Sequence, residues 1–345
     1  MVSDLTVVVP LYNGAKTIAE TLESLQRQTL PVAEVIVVDD GSSDDGPQIA
    51  AAHRLAPRVI RQPRNLGVAI ARNTGLIEAR SGRVAFVDQD DLWLPARHER
   101  LAATLERLPE DAALVTTEQV FATTEERSAL DGMDHAFTSW IRHWRPAAEV
   151  LSLLDEAELP AQLPKPKPIP LRRLLEGSVT ITTSYVLPRR LSLQVGGFAS
   201  WVRSADDWVL LQTLGRFSSV YRLDDPSVLY RVHPSNTSVS TDWQMPLLLS
   251  AAAIRYGRNV VGAGLERDPE QVGRLGDSAM LSHQLSLRAT TPGWRSRVDA
   301  WAAWQLLATD RADRVDMARR LARLTLRSWV PGWLMRPVRA ARART

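Results

Sequence analysis

"LTVVVPLYNGAKTIAETLESLQRQTLPVAEVIVVDDGS" spans residues 5–42, and its alternation decides the fold. LTVVVP (5–10) is short, β-branched and stopped by Pro10, which reads as a strand. GAKTIAETLESLQRQ (14–28) puts Ile18, Leu22 and Leu25 on one helical face. EVIVVDDGS (34–42) is a second strand that runs out into carboxylates and a turn. The rhythm continues outward from there. A short helix in GPQIAAAHRLA (46–56) precedes a strand in RVI (58–60). A helix in GVAIARNTGLIEAR (67–80) precedes a strand in RVAFVD (83–88). PARHERLAATLERL (95–108) reads as a helix opened by proline at its first turn, and AALVTT (112–117) as a fifth strand.

Such alternation predicts an α/β fold, a mostly parallel central sheet flanked by helices on both faces. Ligands in these sheets bind beyond the carboxyl ends of the strands. Asp39, Asp40, Asp88, Asp90 and Asp91 all stand at such ends, so the charges are expected at the mouth of a site.

The chain has 345 residues, enough for one large or two modest domains with a sizeable core. Cysteine is absent, which excludes disulfides, thiolate metal sites and cysteine nucleophiles and suits a reducing, cytoplasmic setting. The start, MVSDLTVVVPLYNG, carries an acidic residue where a secretory leader has basic ones. The net charge is only +3, yet residues 311–345 hold ten arginines against Asp313 and Asp316.

From about 122 to 177 the pattern weakens and ends in LPAQLPKPKPIPLRRLLEG (159–177), whose proline density predicts an extended linker or lid. VTITTSYVLP (179–188) reads as a strand, SADDWVLLQTLGRF (204–217) as a short helix and SVYRLDDPSVLYRVHPSNTS (219–238) as a pair of strands. Beyond 241 the pattern is helical.

Six stretches carry a resemblance: VVVPLYNGAKTIAETLESLQRQT, VIVVDDGSSDDG, RNLGVAIARNTGL, FVDQDDLWLP, ADDWVLL and LYRVHPSNTS, in this order. Together, over roughly residues 5–240, they resemble the large inverting glycosyltransferase family 2, which has a GT-A fold. The resemblance implies a GT-A catalytic domain over 1–240, with 122–177 as a divergent insert or lid. A helical C-terminal region with a basic tail would follow over 241–345.

Transfer from a nucleotide sugar must stabilise a departing diphosphate, by a glycine-rich cradle, by arginines or by a divalent cation. No Walker-type loop or G-x-G-x-x-G is present, which also disfavours a dinucleotide-dependent oxidoreductase. Carboxylates holding Mn²⁺ or Mg²⁺ remain. The resemblance implies that Asp88-Gln89-Asp90 is the D-x-D motif, with Asp90 a direct ligand and Asp88 on the ribose or a metal-bound water. Asp91 is secondary, a cap for the helix near Pro95. The bland alternative makes all three exposed turn carboxylates.

By the same resemblance Asp40, beside Asp39, accepts the ring N–H of a uracil or thymine, favouring UDP- or dTDP-sugars, although DDGSSDDG also suits a plain turn. Pro10, Tyr12 and Asn13 form the loop around the base, with Tyr12 either stacking there or packing as an ordinary loop aromatic. Arg72 either faces a phosphate or is a solvated helix residue. Asp207 aligns with the general base, and Asp206 stands where glutamate is more usual. Trp208 lines the sugar pocket or packs in the core. His233 completes the metal shell or is structural, and Arg231 is a diphosphate candidate.

The expected activity is inverting transfer to an acceptor hydroxyl on a glycan, lipid-linked or other acceptor, in cell-envelope glycan or polysaccharide synthesis. A non-catalytic nucleotide-sugar-binding protein of the same fold is the alternative. The basic tail, where Leu321, Leu324 and Trp329 lie among arginines, either touches the inner face of a membrane or packs as a helix. No groove-reading motif suggests nucleic acid.

Overall fold

The chain is described by a computed structural model over residues 4–130, 140–176, 179–200, 206–234 and 236. The helical expectation beyond 241 and the basic tail lie outside the described residues. The first strand is apolar but for Thr6, with a direct consequence. In β1 (Leu5–Leu11) every residue is buried, because helices cover both faces.

β1 leads through α1 (Ile18–Gln26) to β2 (Glu34–Asp39), then α2 (Gly46–Ala52), β3 (Arg58–Arg61), α3 (Val68–Glu78) and β4 (Arg83–Phe86). The short β5 (Leu92–Trp93) precedes α4 (Arg97–Leu105) and the long β6 (Ala113–Thr123). Then come α5 (Thr124–Leu130), β7 (Ile141–Arg145), α6 (Leu153–Glu156), β8 (Lys167–Ile169) and α7 (Leu171–Glu176). The last elements are β9 (Tyr185–Pro188), α8 (Arg189–Gln194), α9 (Asp206–Phe217) and β10 (Val220–Arg231).

The strands order as β3-β2-β1-β4-β9-β6-β10-β5, with β7 beside β6 and β8 beside β10. β1 pairs in parallel with β2 and β4, β2 with β3, and β6 with β10 and β7. β9 runs antiparallel between β4 and β6, joining the two parallel halves. One face of the sheet packs Leu76 of α3, Leu174 of α7 and Leu210, Leu211 and Leu214 of α9. The other packs Leu22 and Leu25 of α1, Ala50 of α2 and Leu101 of α4. Among the described residues no helix is long and apolar enough to cross a membrane.

Four local expectations differ from the structure. Pro95 lies two residues ahead of α4, which starts at Arg97 with no side-chain cap. The strand expected over 179–188 begins only at Tyr185, because Thr182–Ser184 form a 3-10 turn whose hydroxyls bond locally and across the fold. The pair of strands expected over 219–238 is one strand, β10, with a register shift between Leu223 and Val228. There the turn-like Asp224-Asp225-Pro226 becomes a bulge, since Asp225 is fully buried and paired with Arg100 at 2.7 Å. In 122–177 the chain is not merely extended: β7 and β8 join the sheet, and Pro168 is tolerated because β8 is an edge strand.

One cation lies deep under the site. Arg97 is fully buried, stacks over Trp93 at 4.6 Å, and donates to Thr116 and Ser227 at 2.9 Å and to the Ser184 carbonyl at 3.3 Å. Burial pushes its guanidinium down to about 9, against the pull of Asp225.

Close approach of α3 to β1 depends on Gly75. A Cβ there would stand 2.2 Å from Val8 Cγ1 in the core, so Gly75→Ala must displace helix or strand. Urea denaturation is expected to show a loss of about 1–3 kcal/mol for this variant.

Candidate functional site

Three chain segments meet at the carboxyl ends of β1, β2 and β4. The first is Tyr12–Gly14 after β1. Asn13 has a positive φ of 50°, which asparagine tolerates better than most residues. Its N–H donates to Ser42 Oγ at 3.0 Å, and its side-chain carbonyl accepts from Ser43 N–H at 2.9 Å. Tyr12 is 45% exposed and therefore free to meet a ligand face, while Pro10 is a buried strand residue. Gln89 clasps this loop from across the mouth. Its Oε1 accepts from Tyr12 N–H at 2.7 Å, and its Nε2 donates to the Tyr12 carbonyl at 3.1 Å.

The second segment follows β2. Asp39 is fully buried; its Oδ1 accepts from Ser42 N–H at 2.8 Å, and Arg61 Nε lies 3.2 Å from its Oδ2. Asp39 therefore builds the turn. Asp40 holds the loop ahead of α3, accepting the N–H of Leu66 at 2.7 Å and of Gly67 at 2.8 Å, one on each carboxylate oxygen. Gly67 takes φ of 100°, a left-handed conformation that costs glycine little.

The third segment, Asp88–Asp91, turns tightly between β4 and β5, with Asp91 N–H donating to the Asp88 carbonyl at 3.1 Å. Its three carboxylates have three fates. Asp88 receives Arg72 Nη2 at 2.8 Å and keeps a side chain 30% exposed at the mouth. Asp90 meets His233 Nε2 at 2.7 Å, both partly exposed. Asp91 is fully buried and accepts Arg231 N–H at 3.0 Å. Asp91 is thus no helix cap, as the sequence had suggested. The bond from Arg231 N–H ties the turn to the end of β10, two residues before His233. Burial, then Asp90 and Asp88, push its carboxyl well above the ordinary value.

Arg72 corrects another expectation. It is no solvated helix residue but is buried, donating to Asp88 at 2.8 Å and to Asp206 at 3.0 Å. Burial works against its charge, and Asp88, Asp206 and Asp207 outweigh that and hold it protonated. Asp88 remains above its ordinary value through burial and the charges of Asp90 and Asp206, despite Arg72; water at the mouth screens part of this.

At the start of α9, Asp206 is buried on Arg72 and Asp207 is half-buried. Asp207 Oδ2 accepts from Thr182 Oγ1 at 2.7 Å, and its Oδ1 from Trp208 N–H at 2.7 Å. Burial and the neighbouring Asp206 push its carboxyl up to about 6, more than Arg72 and the two hydrogen bonds pull it down. Trp208 is a core residue, buried with its indole N–H on the Leu174 carbonyl of α7. Arg231 is also spoken for: its guanidinium bonds Glu20 of α1 and lies 5.1 Å over the Phe121 ring.

The fourteen residues singled out in the sequence lie on segments that meet at one mouth, with Pro10, Asp39, Asp91, Trp208 and Arg231 turned into the packing behind it. Glu20, Gln89, Thr182 and Thr183 belong to the same constellation and escaped the sequence reading. Gln89 alone left a signal, as the middle of Asp-Gln-Asp. Asp90 and His233 fit a divalent cation, which takes one or two carboxylates and accepts a neutral imidazole alongside substrate phosphates. Among the described residues no cluster of three or more histidines and carboxylates would hold an ion unaided.

Comparison with known proteins gives this geometry its context. The family described as Glycosyl transferase family 2 matches residues 6–155. An "uncharacterized glycosyltransferase" of Haemophilus influenzae is 26% identical over 240 residues, 69% of this chain and 71% of its own. The succinoglycan biosynthesis protein ExoO of Rhizobium meliloti is 31% identical over 253 residues, 69% of this chain and 63% of its own. The chain matches 32% of the length of the glycosyltransferase EpsJ of Bacillus subtilis, at 40% identity over 110 residues. Among solved structures, S. aureus TarS 1-349 in complex with UDP superposes with a TM-score of 0.56 at 19% identity, covering 93% of this chain and 87% of that one. The architecture is the GT-A fold.

The Arg72 bridge has a measurable cost of removal. Arg72→Met leaves Asp206 buried beside Asp88 without a counter-charge, and denaturation at pH 7 is expected to show a loss of about 3 kcal/mol.

Proposed function

We propose, from the membership of residues 6–155 in glycosyl transferase family 2, that the mouth described above transfers a sugar from a nucleotide diphosphate to an acceptor hydroxyl with inversion. The observation that carries this reading is the disposition of Asp207 relative to Asp88 and Asp90. A base-competent carboxylate and a polyphosphate-side pair are joined through one buried arginine, with Arg72 reaching Asp88 directly and the base through Asp206.

Asp207 takes the acceptor proton while the acceptor oxygen bonds to the anomeric carbon and the bond from that carbon to the diphosphate breaks. A single displacement of this kind inverts the centre. A carboxylate pushed up to about 6 is a stronger base than an ordinary aspartate yet stays ionised at neutral pH. Arg72 and Asp206 keep that base in register with the donor side.

Asp40 offers a carboxylate to a nucleobase ring N–H. Each of its oxygens already holds one backbone amide, and an ionised carboxylate has further lone pairs for a third donor. Uracil and thymine present that donor, which favours UDP- or dTDP-sugars; the UDP complex of TarS agrees with this choice. Tyr12 and Asn13 line the base, and Asp88 faces the ribose. A Mn²⁺ or Mg²⁺ ion, held by Asp90 and His233, would neutralise charge on the leaving diphosphate. Arg231, locked to Glu20, shapes the floor of the site. The catalytic domain spans 1–240, and the product belongs to a cell-envelope glycan or polysaccharide, in keeping with the name of ExoO.

Since the described residues hold no cluster of three or more ligands beside Asp90 and His233, cation and donor should bind together. In thermal-shift measurements Mn²⁺ alone is expected to move Tm little, while Mn²⁺ with UDP raises it. Asp90→Asn should lose the joint effect and stay folded; an undiminished shift in that variant removes the metal assignment.

Transfer requires Asp207 ionised, so the rate should rise as pH rises through about 6 and level off above 7. Asp207→Asn is expected to bind donor and lose transfer by at least about a hundredfold. Asp206→Asn, which deletes a repelling charge and leaves Arg72 to Asp207, should move the acid limb to lower pH. An unmoved limb in that variant would rule out Asp207 as the titrating base.

A further inference from the structure

The 3-10 turn Thr182–Ser184 lies in the middle of the sheet's upper edge, and all three of its side chains are buried. Its contacts divide between the two halves of the site. Thr182 Oγ1 donates to Asp207 Oδ2 at 2.7 Å, and Thr183 Oγ1 accepts the N–H of Asp88 at 3.3 Å. Below, the turn is pinned: Ser184 Oγ donates to the Ile181 carbonyl at 2.7 Å, and the Ser184 carbonyl accepts from buried Arg97 at 3.3 Å.

We infer that Thr182 is a positioning residue for the proposed base: its hydroxyl fixes the Asp207 carboxylate from a separate element and sets it in register with the donor-side turn. The inference rests on the reading of Asp207 as the base.

The second hydrogen bond to Asp207 cannot do this work. It comes from Trp208, the next residue on the same helix, and so moves with Asp207. Thr182 alone among these two donors ties the carboxylate to the sheet, and its β-branch stiffens the direction of the hydroxyl. Because Thr183 holds Asp88 one residue further on, the base and the donor-side turn share one rigid support. The charged groups bearing on Asp207 are Asp206 of its own helix and Arg72 of α3, with Asp88 on the far side of Arg72. Neither of the first two contacts Thr182's hydroxyl bond, so a change there is separable from theirs.

The experiment compares wild type with Thr182→Ser and Thr182→Val in the full chain. The ¹³C resonance of the Asp207 carboxyl, identified by its loss in Asp207→Asn, is titrated, and the pH–rate profile is measured with Mn²⁺ and a UDP- or dTDP-sugar. Loss of a donor to the charged form should raise the titration midpoint in Thr182→Val by about one unit. The turnover number at pH 6 should fall about fivefold with donor KM unchanged, and Thr182→Ser should restore both. If Thr182→Val does not fold, Thr182→Ala serves the same comparison. A valine variant titrating like wild type, or a serine variant as impaired as valine, overturns the inference. If wild type moves no sugar while the titrations differ as expected, the glycosyl-transfer reading fails and the positioning geometry stands.

Discussion

The buried guanidinium of Arg72 is the interaction on which the rest of the site depends. Carboxylates from β4's end and from the start of α9 come together in a partly dehydrated mouth, where like charges repel strongly. Arg72 makes this arrangement tenable by donating to one carboxylate on each side, 16 and 134 residues away in the chain. It also keeps the neighbouring Asp207 from rising further than burial and Asp206 already push it.

A ring of shorter ties surrounds that bridge. Asp91 secures the acidic turn to the end of β10, and the segment just beyond that strand presents His233 to Asp90. Gln89 secures the same turn to the loop after β1, while Thr21 of α1 donates to the Gln89 carbonyl at 2.8 Å. Asp40 holds the loop that opens α3, the helix that carries Arg72. Each tie gives a partner to a polar group that would be costly to bury alone, most of them backbone amides and carbonyls. What remains accessible includes the faces of Tyr12, Asp88, Asp90, His233 and Asp207, five of the residues that the proposed chemistry uses.

Much of this was legible in the residues themselves. Strands β1 to β4 and helices α1 to α4 follow from local order, the strands as short apolar runs closed by turn residues and the helices from one apolar face each. The acidic mouth follows as well, because strand ends in a parallel sheet are a fixed place. Partnerships were another matter. Arg72 offered two readings, and both missed its carboxylate bridge, because its partners come from distant segments. Arg231 looked available to a ligand for the same reason, yet Glu20 occupies it, and of the two readings of Trp208 the core one is observed, with its indole on Leu174. The bulge at Asp225 and the turn at Thr182 broke the local rules where a long-range partner, Arg100 in one case and Asp207 in the other, outweighed local preference.

The sequence by itself determined the alternation of strand and helix, the absence of thiol chemistry and the placing of acidic residues at strand ends, since all three depend on residue type and short-range order. The tertiary structure alone decided which carboxylate meets which cation, which is buried and which reaches water. Those outcomes depend on distances between segments remote in the chain and on the local dielectric, and neither quantity exists until the sheet has assembled.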